Sequence, residues 1–131
     1  MAKALADYEA GFQLKPTDVR SLNGRCFARA RAGQMLAEAL VDCNAALDIE
    51  PRSAGILDSR AFVHFRMGNY DKAITDYDRA LKIDPDLAPS LYVRGLAKRA
   101  KGDRSGAEQD IKAARKMDPT VVKTYAAYGV K

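Results

Sequence analysis

Few side chains in this sequence could carry covalent chemistry, and none stands in a constellation that would let it. Nucleophilic catalysis needs a nucleophile, a base and an orienting group within hydrogen-bond reach. The chain has one histidine, His64, from which packing rather than catalysis is expected. Gly102-Asp103-Arg104-Ser105-Gly106 has a serine between glycines, but the serine is one residue late for a nucleophile elbow and no strand precedes it. Asp76 and Asp78, like Asp84 and Asp86, are spaced i, i+2, which sends helical side chains to different faces and makes poor metal or acid–base pairs. Cys26 and Cys43 lack metal-ligand spacing to each other or to His64, and two cysteines make no disulfide scaffold. They are expected to be unpaired, compact apolar side chains. No glycine loop suited to phosphate is present. The reading is of no enzyme, no metal and no cofactor.

The elements that position these residues are helices. The 131 residues, 47% hydrophobic and 30% charged, suffice for one folded domain. No stretch free of Asp, Glu, Lys and Arg exceeds seven residues (Leu87 to Val93, Thr124 to Val130), far short of the ~20 needed to span a bilayer. Lys3, Asp7, Glu9 and Lys15 break any secretory core near the start. There are 23 alanines, no tryptophan and nine glycines, a composition that favours closely packed helices.

Four of the five prolines, Pro16, Pro51, Pro85 and Pro119, recur at intervals of 35, 34 and 34, each closing an amphipathic run. Twelve residues before them stand Ala4, Ala39, Ala73 and Ala107. Eight before stand Tyr8, Cys43, Tyr77 and Ile111, and five before stand Gly11, Ala46, Ala80 and Ala114. A second helix lies upstream in each unit. It carries Leu22, Leu57 or Leu91, then Cys26, Ala61 or Gly95 four residues on, then a turn glycine at Gly33, Gly68 or Gly102. The small residues form one stripe where two helices must touch.

This pattern resembles the tetratricopeptide repeat, most clearly in Gly68-Asn69-Tyr70-Asp71-Lys72-Ala73 through Ala80 and Pro85. It departs where the family's first aromatic is leucine, where its second-turn tyrosine is Arg29, His64 or Lys98, and where one residue is inserted between Gly33 and Ala39. The resemblance implies an all-α, right-handed helical solenoid of antiparallel helix pairs. Residues 1–16 would be the second helix of a partial repeat. Repeats would follow over 17–51, 54–85 and 88–119, with a capping helix over 120–131. An unpartnered helix at the start implies either a chain cut from a longer protein or pairing with another copy.

Asp7, Asp42, Asp76 and Asp110 share one register; Arg25, Arg60 and Arg94 share another, 18 residues after the first three. This suggests a ladder (Asp7–Arg25, Asp42–Arg60, Asp76–Arg94) tying each repeat to the next through bidentate pairs.

In the family the first helices line a groove that holds partner segments. Its groove places fall here on Arg20, Asn23, Phe27 and Arg31; on Asp58, Phe62, Phe65 and Arg66; and on Tyr92, Leu96 and Arg99. The lysine and asparagine clamp of members that bind chaperone tails is absent. Segments 20–31 and 94–104 each carry +4, whereas 36–50 carries −4 and 71–84 carries −1. Positive charge therefore gathers on first helices, which suits a protein or peptide partner with acidic and apolar residues. The phenylalanines could instead pack between repeats. The expected function is a non-catalytic interaction scaffold, without a membrane role. The alternatives are an RNA- or nucleic-acid-binding solenoid, which a net charge of only +5 argues against, and self-assembly as a homo-oligomer through the N-terminal helix. Unpaired cysteines point to a cytoplasmic protein.

Overall fold

A computed structural model of the chain describes residues 18–130. The segment over 1–16, with Asp7, lies outside the described residues. Local chemistry sets the helix ends. Asp18 caps α1 (Val19–Ala32) by accepting from the Arg20 N–H at 2.9 Å. Ser53 caps α3 (Ala54–Arg66) through Ile56, and Asp103 caps α6 (Arg104–Met117) through Gly106. A left-handed glycine closes each first helix, at Gly33, Gly68 and Gly102. The remaining helices are α2 (Leu36–Ile49), α4 (Tyr70–Ile83), α5 (Ala88–Ala100) and α7 (Val121–Ala127). The residue inserted after Gly33 is absorbed at Met35, the one non-glycine with positive φ among the described residues.

Helices pack as α1–α2, α3–α4 and α5–α6 pairs, and each pair stacks on the next. First helices touch their first-helix neighbours, α1 with α3 and α3 with α5, while second helices do not touch one another. The stack therefore curves with its first helices inside. No strand occurs among the described residues, and no described helix is long and apolar enough to cross a membrane. The architecture is an all-α helical solenoid.

Each pair closes on the stripe of small residues. Ala39, Ala46, Ala73, Ala80, Ala107 and Ala114 are all buried. At the tightest crossing the three pairs use different chemistry. In the third, a Cβ on Gly95 would fall 2.8 Å from Ile111 Cγ1 and 3.1 Å from the Ala107 carbonyl oxygen, so only glycine admits the facing isoleucine. In the second, Ala61 and the wholly buried Tyr77 hold the equivalent places. In the first, Cys26 and Cys43 form a disulfide with a Cα–Cα distance of 5.6 Å. The expectation of unpaired cysteines is corrected here. The register that brings two small side chains together across the helix pair also brings two thiols within bonding distance, and spacing along the chain conceals this.

The acidic register forms a ladder with a different connectivity. Arg25 donates to Asp42 from Nε and Nη2 at 2.7 and 2.5 Å, with Arg29 Nη1 at 3.2 Å. Arg60 grips Asp76 and Arg94 grips Asp110 in the same bidentate way, every bond 2.8 Å. Each arginine thus reaches forward to the acid of its own pair, rather than back by 18 residues. The antiparallel partner is the nearest helix and buries its carboxylate, so the stronger contact forms there. The link between repeats is made by the spare Nη1: Arg60 to Asn44 at 3.1 Å, and Arg94 to Asp78 at 2.9 Å. The departures from the family tyrosine face the same acids. Lys98 Nζ lies 2.9 Å from Asp110, and His64 Nε2 3.9 Å from Asp76. Burial lowers the His64 pKa despite that neighbour, which favours the neutral imidazole. At Asp110 burial works to raise the pKa, but the bonds from Arg94 and Lys98 outweigh it and hold the carboxyl below its usual range.

Two expectations follow. Gly95→Ala should destabilise the fold by about 1–2 kcal/mol in chemical denaturation, although alanine is the better helix former by about 1 kcal/mol; a more stable variant would refute the close crossing. Unreduced, denatured protein should take up no iodoacetamide. Reduction should lower stability by about 3 kcal/mol, as expected for a bridge across a sequence separation of 17.

Candidate partner-binding groove

The inner face of the stack is built from one row of each first helix. Its centre is aromatic. Phe27 on α1 lies 5.8 Å from Phe62 on α3, and Phe62 stacks on Phe65 at 6.4 Å (ring centroids). Phe62, Tyr92 and Leu96 are buried at 0%, 4% and 3% exposure. Asn23, Phe27, Arg31, Asp58, Phe65 and Arg66 are half-buried, and Arg20 and Arg99 are exposed. The face that resemblance assigns to a partner is therefore largely covered.

The cover is the chain's own C-terminal segment. Tyr125 on α7 sits edge-on to Phe62 at 5.3 Å and 5.9 Å from Tyr92; Tyr128 lies 5.2 Å from Tyr125 and edge-on to Phe27 at 6.5 Å. Two tyrosines thus reach first helices of all three pairs. Gly129, at φ 84°, ends the helix and turns the Val130 N–H back onto the Tyr125 carbonyl at 3.0 Å. Val130 is buried.

Two arginines frame the segment. Arg66 donates from Nε to the Ala30 carbonyl and from Nη2 to the Arg31 carbonyl, both at 2.9 Å, and also from Nη2 to the Tyr128 carbonyl. One guanidinium so closes the C-terminal ends of α1 and of the tail, while lying 5.3 Å over the Phe62 ring. Arg31 lies 5.7 Å over both Phe27 and Tyr128.

Much of the cationic charge on the first helices is already engaged. Of the four arginines on 20–31, Arg25 and Arg29 face Asp42; on 94–104, Arg94 and Lys98 face Asp110, and Lys101 pairs with Asp71 at 2.5 Å. Charge that the sequence assigns to the groove is in large part engaged between the helices of a pair. Arg31 and Arg66 are the cations placed against the aromatic centre.

Tyr125 and Tyr128 are the groove residues that the sequence reading misses. Their signal is the uncharged run Thr124 to Val130, with two tyrosines at i, i+3 followed by glycine.

Asp58 adds a titrating group beneath the tail. Its carboxyl accepts from the Ser90 hydroxyl at 2.6 Å and neighbours Tyr77 and Tyr125. Burial pushes it up to about 6, against the lowering effect of the Ser90 bond. Tyr77, its hydroxyl buried without a hydrogen-bond partner, is raised well above the ordinary tyrosine range by the same burial. A carboxyl with a raised pKa binds its proton more tightly folded than unfolded. Stability from this group therefore grows as pH falls from above about 6 towards 3.8 and is lost on the way up. Asp58→Asn should raise the melting temperature at pH 7.5 and leave it nearly unchanged at pH 4; an equal shift at both would remove the carboxyl as the cause.

Comparison with known proteins places this geometry. The tetratricopeptide repeat family matches residues 59–87. Curated proteins give no match. Among solved structures, TTC0263, a tetratricopeptide-repeat protein of Thermus thermophilus, superposes with a TM-score of 0.79 at 20% identity, over 95% of this chain and 73% of that one. MamA superposes at 0.75 and 18% identity, over 95% and 72%. The first tetratricopeptide-repeat unit of Spaghetti (RPAP3), solved with the HSP90 peptide SRMEEVD, gives 0.72 at 18%, over 85% and 90%. At these identities the likeness to solved structures is one of fold. One repeat is thus matched in sequence, and helix pairs of the same architecture lie before and after it.

Proposed function

We propose that the chain is a non-catalytic scaffold whose inner face receives a segment of a partner protein. The observation that carries the reading is the docked tail: a short helical peptide, supplied in cis, rests on Phe27, Phe62 and Tyr92 and has a terminal carbonyl taken by Arg66. A surface that holds one such segment has the shape and chemistry to hold another. The RPAP3 unit, solved with a peptide, supports the same use of the fold. The lack of the lysine and asparagine clamp favours an apolar anchor over a free carboxylate. The arginines engaged by second-helix acids weaken the case for nucleic acid, which needs a continuous cationic track. The buried disulfide suits an oxidising compartment better than a reducing cytoplasm.

Groove variants must spare the core. Phe62 is wholly buried, so its truncation would test folding before binding. Arg20→Glu/Arg31→Glu/Arg99→Glu, checked for native helix content, should capture at least about tenfold less partner protein than wild type from nuclease-treated lysate. Nuclease-sensitive capture would favour the nucleic-acid reading instead. Equal capture by both proteins would move the site off this face.

A further inference from the structure

The tail also specifies what the groove recognises. We propose that the inner face is a receptor for a short helical turn bearing aromatic residues at i and i+3, and that Tyr125–Val130 is its resident ligand, which an external partner of that chemistry must displace. This rests on the scaffold reading and adds to it a ligand class and a competition.

Four features of the resident segment define the class. The aromatic at i enters between Phe62 and Tyr92, and its burial at 3% exposure makes it the anchor. The aromatic at i+3 lies edge-on to Phe27 beneath the Arg31 guanidinium, so that place selects a ring. The carbonyl of that second aromatic is taken by Arg66, so the helix must stop there, leaving the carbonyl free of an intrahelical partner. Gly129 supplies the stop in cis through its left-handed conformation. An acidic side chain is not among the requirements. Both arginines beside the segment already engage backbone carbonyls or ring faces.

Displacement from the inner face would have to release Tyr125, Tyr128 and the Arg66 bond to the Tyr128 carbonyl. α7 is only seven residues long, and its backbone approaches α5 and α6 but not α1 or α3. A tethered ligand acts at an effective concentration in the millimolar range. A free peptide of equal intrinsic affinity therefore competes poorly until the tail's anchors are removed.

The test uses the full chain. A fluorescein-labelled peptide of residues 118–130 is titrated, by anisotropy, against wild type and against Tyr125→Ala/Tyr128→Ala, with circular dichroism confirming helix content. The variant should bind the peptide at least about tenfold more tightly than wild type, and a peptide carrying both tyrosine-to-alanine changes should not bind it. Should the double variant unfold, Tyr128→Ala alone, which keeps the Tyr125 anchor, should still bind the peptide more tightly than wild type. A folded variant that binds the peptide no better than wild type overturns the proposal, even where capture of a partner protein through the groove persists. Exchange of tails between two copies, seen as a doubled mass in wild type that the double variant loses, would overturn the resident-ligand assignment in favour of a dimer contact.

Discussion

Everything in this molecule depends on how closely two helices of a pair can approach. The repeat sets alanines at the crossing, and the remaining position decides what each pair can add. Glycine at 95 admits a branched chain at 111; alanine at 61 leaves room for a buried tyrosine at 77; two cysteines replace packing volume by a covalent bond. The three solutions are equivalent in register and different in consequence. Tyr77 carries a hydroxyl into the core that finds no hydrogen-bond partner, close to Asp58.

Close approach also decides the electrostatics. Once the helices meet, an aspartate on the second helix is nearly buried, at 2% to 6% exposure, and its charge is tolerable only with a cation donating to it. Each pair brings two candidates from the first helix, Arg25 and Arg29, Arg60 and His64, Arg94 and Lys98. The middle pair differs again, because burial disfavours the charged imidazole and Arg60 carries the compensation there. The basic character of first helices thus belongs mostly to the fold. What remains for recognition is a small set of arginines whose guanidinium faces, as much as their charges, meet aromatic rings.

The fold was legible because it is periodic: prolines, small residues and turn glycines repeat the same constraint, so each copy checks the others. The acid and arginine registers are legible too, but the direction of their pairing is not, since a spacing of 18 back and one of 16 or 17 forward both fit a helical repeat. Only the antiparallel neighbour's proximity separates them. The disulfide was hidden because its two cysteines look like two more small residues. Register assigns candidate groove positions, but it cannot reveal that Phe62 is fully covered, since the covering residues lie outside the repeated units.

The last described helix takes a different role without leaving the register of the repeat. Counting 34 residues on from the third pair, Tyr125 holds the place of Leu91, Tyr128 that of Arg94, and Gly129 that of Gly95. Tyr125 behaves as its equivalents do and is buried against the preceding pair. At position 128, however, no following helix within the described chain offers a buried carboxylate, and the residue is a tyrosine rather than an arginine. Its ring turns to the inner face, against Phe27 and Arg31. Gly129, which in a continuing helix would make room for a partner, adopts the left-handed conformation and stops it. The same places that build a helix pair three times over therefore produce, at the fourth, a short helix whose exposed register is satisfied by the groove.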